Sequence, residues 1–266
     1  MRLTRAHWRG LWGLFALGIL VGALAPSPSP AQVNIEPFTL GREQTGWGGK
    51  VGANFKMESN ETVLLEIDLS PRVDFSHGRH SVAVVGNLGF SERAGTTFRS
   101  LYLLHTRYLL QVDSTLSAEV FGRVQRDEFA RLNNRLSSGL GLRFQVTATE
   151  ESATFAGLSV GGEWERWEVE SSDRHPETVA DPRAFGYLAY RLQITENTTL
   201  LNTLSASLRL GGSLEDGRIV DTASLEVGIS ERVSLKAAFA LAYDSRPPRS
   251  QPQVSMALTN GLTVSL

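Results

Sequence analysis

The chain contains no cysteine among its 266 residues. This absence excludes disulfide bonds, thiolate metal ligands and the cysteine acylation that anchors bacterial lipoproteins. The formal net charge is only −2, which gives no indication of nucleic-acid binding. After residue 31 there is also no apolar run of the ~20 residues that a transmembrane helix needs. The fold must therefore be inferred from shorter-range patterns.

The first 31 residues differ from the rest of the chain. Three arginines precede residue 10, residues 11–25 are wholly apolar, and a cleavage site of small residues ends at Ala31. This order is typical of a secretory signal peptide, with an uncleaved anchor as the alternative. The 235 residues that follow carry a net charge of −5 and have the size of one all-β domain.

From Gly46 to Leu266, apolar and polar residues alternate in one segment after another. In one segment Leu140 and Leu142 alternate with residues that include Arg143. A strand with this period of two has different surroundings on its two faces, and a closed barrel with lipid outside and a polar lumen provides them. Twelve such runs lie near 46–57, 61–74, 79–90, 96–110, 114–127, 132–147, 153–168, 182–194, 198–211, 216–229, 232–244 and 252–266.

The connections between these runs fall into two sets. Every second connection is short, and the two longest, around 171–181 and 245–251, belong to the other set. Outer-membrane barrels have short periplasmic turns and long extracellular loops, so both termini are predicted to be periplasmic. On this orientation the outward-facing aromatic residues fall at the strand ends, where membrane girdles occur. They are Phe90, Phe98, Trp164 and Tyr243 at the outer rim, and Tyr108 and Phe144 at the inner rim.

We therefore predict an all-β protein, an antiparallel up-and-down transmembrane β-barrel of about twelve strands, with ten or fourteen as alternatives. Residues 1–31 are predicted to be the signal peptide, 32–45 a short periplasmic lead and 46–266 the barrel. The expected location is the bacterial outer membrane.

The inward-facing charged residues are the candidate functional residues. Both signs are interleaved, so they could form a salt-bridge network that fills the interior, or they could line a narrow pore or a site for a polar solute. The lumen-facing candidates are Arg99, Arg107, Glu119, Arg123, Arg135, Arg143, Glu163, Glu165, Arg191, Arg209, Glu226 and Lys236.

Catalytic and metal-binding chemistry has little support in the sequence. His105 is an inward histidine, and Ser117 or Ser137 on neighbouring strands could face it, but it lies mid-wall among arginines. The five histidines are scattered without ligand spacing, so neither a metal site nor a cofactor is expected. The protein is therefore expected not to be an enzyme.

Several motifs carry a family resemblance. In the stretch 121–141 a strand ends in an acid, a short loop follows, and Asn134-Arg135 opens a returning strand that contains Gly139 and Gly141. The motifs at 46–49 (GWGG) and 187–190 (YLAY) fit as well. Over residues 46–266 the chain resembles the salt-induced outer-membrane protein (YdiY-like) family, although it ends in Leu266 rather than in the family's aromatic residue.

The resemblance implies an outer-membrane barrel of uncharacterised function and supplies no catalytic residues. We expect an integral, non-enzymatic outer-membrane protein, either a narrow channel or an envelope component that responds to osmotic or ionic stress. The alternative is a soluble barrel that binds an apolar ligand in its interior. The expected partners are outer-membrane lipid and, during biogenesis, periplasmic chaperones and the barrel-assembly machinery, with the mature protein a monomer.

Overall fold

A computed structural model describes residues 45–59, 63–93, 96–128, 130–211, 216–249 and 251–265. The predicted signal peptide, nearly all of the predicted lead and Leu266 lie outside these residues. The described chain forms twelve β-strands. They are β1 (Gly46–Ser59), β2 (Val63–His77), β3 (His80–Arg93), β4 (Thr96–Gln111), β5 (Leu116–Asp127), β6 (Leu132–Ala148), β7 (Ser152–Trp167), β8 (Thr178–Thr195), β9 (Thr198–Arg209), β10 (Gly217–Gly228), β11 (Val233–Asp244) and β12 (Val254–Ser265).

The strands close into one antiparallel barrel in which each strand pairs with its neighbours in the sequence. The first and last strands complete the ring through a short register that runs from Lys50 opposite Ser265 to Ala53 opposite Leu262. A closed sheet has no exposed edge, so its backbone hydrogen-bonding groups are paired within the wall. The predicted fold class and the predicted number of strands are confirmed.

The strand limits agree with the sequence prediction to within four residues, and the largest difference is at the start of β8. That strand begins at Thr178, whereas the prediction placed its start at Pro182. Proline lacks an N–H group and usually marks a strand boundary. Here the Pro182 carbonyl accepts a hydrogen bond from the Leu210 amide (2.8 Å), and the residue pairs with Gly162, so β8 continues through it.

The even-numbered connections are short, as predicted, and the longest ones lie at the opposite end, although the first, third and fifth connections also contain only two to four residues. The second, fourth, sixth, eighth and tenth connections contain two to four residues each. The opposite end of the barrel carries the three longest connections, at residues 168–177, 210–216 and 245–253. We call the end with short turns the turn end and the other the loop end.

The barrel has an apolar exterior and a charged interior. Leu140 on β6 and Leu158 on β7 are 65% and 64% exposed on the outer face, whereas Arg135 and Arg183 are each only 1% exposed inside. This distribution is the inverse of a water-soluble protein and is the arrangement of a transmembrane barrel. No helix among the described residues is long and apolar enough to cross a membrane.

Aromatic side chains lie at both ends of the outer face. At the turn end, Trp47 is 73% exposed, and the Tyr108 hydroxyl lies 2.7 Å from Nδ1 of His80. At the loop end, Phe90 and Tyr243 are exposed. Phe98 was predicted for the same rim, but its side chain lies outside the described part of the chain.

Candidate functional site

Eight charged side chains meet inside the loop-end half of the barrel. They come from β5, β6, β7, β8, β10 and β11, together with the residue that precedes β10. We call this group the charged plug. Its members are Arg123, Arg135, Glu163, Glu165, Arg183, Asp216, Arg218 and Asp244.

Arg218 holds the plug together by spanning the interior. From β10, its Nη1 reaches Oε1 of Glu163 (2.5 Å) and Oε1 of Glu165 (2.6 Å), both on β7. Its Nη2 donates to Oε2 of Glu165 (2.9 Å), and its Nε donates to Asp244 on β11 (2.8 Å). Because β8 and β9 separate β7 from β10 in the wall, the contacts of Arg218 with Glu163 and Glu165 join non-adjacent strands.

Several neighbouring donors contact the carboxylate of Glu163. Arg183 Nε lies 2.9 Å from its Oε1, and the Ser137 hydroxyl donates to its Oε2 (2.7 Å). Arg183 also donates from Nη2 to Asp216 (2.9 Å). Arg123 is held less closely, with its Nη2 3.6 Å from Glu163 and 3.3 Å from the Ser137 hydroxyl.

Glu165 connects the network to β6. Arg135 Nε donates to its Oε1 (2.5 Å), and Trp167 Nε1 donates to its Oε2 (3.1 Å). The Arg135 guanidinium also lies over the Trp167 ring, 5.5 Å from the centroid. Trp167 is buried with Ala130 and Leu132, so an apolar layer lies beside the ion pairs.

The plug contains four arginines and four carboxylates, so its formal charges balance. Charges as deeply buried as Arg135, Glu165 and Arg183 are tolerated only when partners replace the lost water. Every member has at least one oppositely charged neighbour within 4 Å. The plug therefore fills the interior with matched pairs.

A smaller group lies closer to the turn end. The Tyr187 hydroxyl donates to Oε2 of Glu119 (2.6 Å), and the Ser159 hydroxyl donates to Oε1 (3.4 Å). Arg107 Nε lies 3.6 Å from the same carboxylate, and its guanidinium lies over the Tyr187 ring, 4.9 Å from the centroid. Between this group and the plug is a cavity of about 80 Å³.

The other predicted lumen residues lie around this centre. Glu226 contacts Lys50 (3.4 Å) and Lys236 (3.8 Å) across β1, β10 and β11. Arg143 is buried with its guanidinium over the Phe155 ring, 4.2 Å from the centroid. Two further positions lie towards the ends of the wall: Arg191 is half-buried on β8, and Arg209 pairs with Asp181 (2.8 Å). Arg99 lies on β4, but its side chain is outside the described part.

The structure therefore brings together Arg123, Arg135, Glu163 and Glu165 of the predicted set, and it separately pairs Arg107 with Glu119. The candidate residues did not include Arg183 and Arg218, the two arginines that connect the plug. The alternation contained a signal for both, because Arg183 has the parity of Arg191 on β8, and Arg218 has the parity of Glu226 on β10.

The described residues do not place His105 in a catalytic triad. His105 is 3% exposed and stacks on Phe121 with centroids 5.8 Å apart. Neither of its ring nitrogens has a hydrogen-bond partner among the described residues, and the Ser137 hydroxyl donates to Glu163 instead. Over the same part of the chain, no group of three or more histidine or acidic side chains could hold a metal ion.

The long loops are tied together outside the wall. Asp173 in the 168–177 loop accepts hydrogen bonds from the amide of His175 (2.9 Å) and from the amide of Arg249 in the 245–253 loop (2.8 Å). These amide donors stabilise the carboxylate and hold the pKa of Asp173 below its usual value. The contact connects the two longest connections of the loop end.

Residues 50–266 match the family model described as "Protein of unknown function, DUF481". The chain belongs to this family. The resemblance predicted from the sequence is thereby confirmed, since the YdiY-like family is DUF481. No curated protein is significantly similar to this DUF481 chain.

Solved barrels resemble the DUF481 chain in shape at low sequence identity. The translocator domain of the autotransporter NalP from Neisseria meningitidis is 11% identical, with a TM-score of 0.49, covering 86% of this chain and 91% of that one. The NanC porin is 8% identical, with a TM-score of 0.48 and coverages of 82% and 98%. The KdgM porin is 11% identical, with a TM-score of 0.42 and coverages of 83% and 99%.

Proposed function

We propose that this DUF481 chain is an integral, non-catalytic protein of the bacterial outer membrane whose lumen is closed by the charged plug. The observation that carries the proposal is Arg218, which spans the interior from β10 to both Glu163 and Glu165 on β7. We infer that a matched ion-pair network in this position interrupts the continuous water-filled path that a general diffusion pore requires.

The membrane location rests on the two faces of the wall. The outer face is lined by exposed leucine, valine and phenylalanine, and aromatic residues lie at both ends, which suits lipid contact. The soluble alternative requires the opposite arrangement, with apolar residues inside to hold an apolar ligand. Buried charges such as Arg135, Glu163 and Glu165 are unfavourable for such a ligand.

A narrow channel is the second candidate, and the position of Arg123 favours it. This arginine is the least closely held member of the plug, 3.6 Å from Glu163, and its side chain is 20% exposed. Movement of Arg123 would widen the interior without separating Arg218 from β7. In this version the plug acts as a gate that is closed in the described conformation.

The biogenesis and physiological role follow from the same assignment. The predicted signal peptide directs export, periplasmic chaperones and the barrel-assembly machinery insert the chain, and the mature barrel is a monomer in contact with lipid. A closed barrel suits an envelope component that responds to osmotic or ionic stress better than it suits a route for bulk uptake.

Planar-bilayer recordings test the closed lumen. We expect no channel events from the parent protein and discrete conductance from the double variant Glu163→Ala with Arg218→Ala, which removes one charge of each sign from the plug. The matched control is Glu177→Ala with Arg166→Ala, which removes an exposed ion pair (3.2 Å) outside the lumen.

Steady conductance by the parent protein would refute the closed barrel and support the narrow channel. Silence of the double variant would show that the plug is not what closes the lumen. Membrane fractionation tests the location independently, because recovery of the native protein in the osmotic-shock fraction would contradict the outer-membrane assignment.

A further inference from the structure

We propose that the cavity between the charged plug and the Arg107–Glu119 pair is a binding site for a small tetrahedral oxyanion, phosphate or sulfate. We call it the lower cavity. The inference goes beyond the closed-barrel function and does not depend on whether the barrel conducts. It rests on the size of the cavity, on the hydrogen-bond donors that line it, and on the fact that the neighbouring carboxylates already bind other donors.

The lower cavity has room for a compact ligand of a few atoms. Its volume is about 80 Å³, several times the ~15 Å³ that one water molecule requires. This size suits a compact ligand better than a sugar or a nucleotide. Its polar lining includes His105, Arg107, Arg123, Ser205 and Ser207.

Three cationic or N–H-bearing side chains are adjacent on one part of the wall. His105 on β4 lies directly opposite Arg123 on β5, and Arg107 is two residues further along the same face of β4. The imidazole of His105 offers at least one N–H donor in either protonation state. Neither ring nitrogen has a hydrogen-bond partner among the described residues, and both are buried in the wall of the cavity, so a rotation of the ring would present this donor to a ligand.

The carboxylates that line the cavity are already engaged by other donors. Glu119 accepts from Tyr187 and Ser159, and Glu163 is contacted by Arg183, Arg218 and Ser137. The ion pair of Arg123 with Glu163 is the longest in the plug (3.6 Å), and the Nε of Arg123 has no hydrogen-bond partner among the described residues. Four arginines line the cavity against these two carboxylates, and this local excess of positive charge favours an anion.

The apolar part of the lining strengthens this preference. Phe121 stacks on His105, and its ring meets Phe185 edge to face with centroids 5.2 Å apart. These rings exclude water from one side of the cavity, and charge-assisted hydrogen bonds are stronger in such surroundings. Guanidinium groups bind tetrahedral oxyanions through paired N–H donors, which is the geometry that Arg107 and Arg123 can supply.

Titration calorimetry with inorganic phosphate tests the proposal on the full mature chain refolded in detergent micelles, with sodium chloride keeping the ionic strength constant. We expect one saturable site per barrel, weakened about tenfold or more by Arg123→Gln or by His105→Leu. Arg143→Gln is the matched control, because Arg143 is also buried and inward but lies outside the cavity lining. Its affinity for phosphate should equal that of the parent.

Absence of saturable phosphate binding by the refolded parent would overturn the proposal, as would equal weakening by Arg143→Gln. If chloride abolishes phosphate binding at equal concentration, the site has no preference for oxyanions and the proposal fails. If the variants do not refold, crystals of the parent protein soaked in selenate, a tetrahedral oxyanion that gives an anomalous signal, provide a second test. We expect an anomalous peak between Arg107 and Arg123, and its absence would also refute the site.

Discussion

Substitution of Glu165 by glutamine is the sharpest test of the charged plug as a stabilising element. The two oxygens of this carboxylate accept four contacts: Arg135 and Arg218 on Oε1 (2.5 and 2.6 Å), and Arg218 and Trp167 on Oε2 (2.9 and 3.1 Å). Every partner is a donor. Whichever way the new side-chain amide is oriented, its NH₂ group must face two donors, and the negative charge is lost.

The expected cost follows from burial. Glu165 and Arg135 are each 1% exposed, and breaking a buried pair by removing one partner costs about 3–5 kcal/mol. Arg218 keeps its contacts with Glu163 and Asp244, so the lower end of that range, about 3 kcal/mol, applies here. Glu177→Gln, the control, interrupts an exposed pair with Arg166 and should cost only about 0–1 kcal/mol.

The measurement is the free energy of unfolding in urea for barrels refolded in lipid vesicles, followed by tryptophan fluorescence and by heat-modifiable gel migration. Agreement between the two probes supports two-state treatment. If Glu165→Gln and Glu177→Gln lower the free energy of unfolding by the same amount, the plug does not stabilise the barrel. The argument from buried, matched charge would then fail.

Three further predictions concern other parts of the barrel. Hydrogen bonds from the amides of Thr115 and Leu116 hold the pKa of Asp113 below its usual value, so the stability they provide is present above about pH 4 and is lost as the pH falls through the lowered pKa. Asp113→Ala should therefore destabilise the barrel at pH 7, and its difference from the parent in urea titrations should shrink in acid; a constant difference would contradict the assignment. In Gly157→Ala the new methyl group would collide with the Tyr187 ring, so we expect a loss of about 1–3 kcal/mol by urea titration, and a neutral result would refute this packing. Asp221 lies on the outer face of β10, where it accepts a hydrogen bond from Asn202 (2.9 Å), and Asp221→Leu should stabilise the barrel in vesicles by about 1–2 kcal/mol. Destabilisation by Asp221→Leu would indicate that this face does not contact lipid.

The wall of the barrel could be predicted because its information is local. Alternation along a single segment, such as Leu140 and Leu142 against Arg143, states which side chains face lipid without reference to any other strand. Connection lengths then fix the direction of each strand. The start of β8 is the clearest difference, because the pairing of Pro182 with Gly162 depends on the neighbouring strand.

The arrangement of the interior depends on information that alternation does not contain. The period of two predicts that Arg218 and Glu163 both face inward. It does not predict that the two residues lie at the same level along the barrel axis. That coincidence depends on the register of every intervening pair, from β7 through β8 and β9 to β10. A shift of one residue in any of these registers would change the partners of both side chains.

The difference between a pore and a plug is decided at this level. Inward charges on isolated strands suggest a hydrated channel, because each strand seen alone places its arginine or glutamate towards water. Once the twelve strands close, an arginine on β10 is long enough to reach carboxylates on β7, and the charges neutralise one another instead of a solute. Arg123 is the most loosely held arginine of the plug, because its closest carboxylate is 3.6 Å away, and it lines the lower cavity. The balance between a closed barrel and one that binds anions therefore depends on this one side chain.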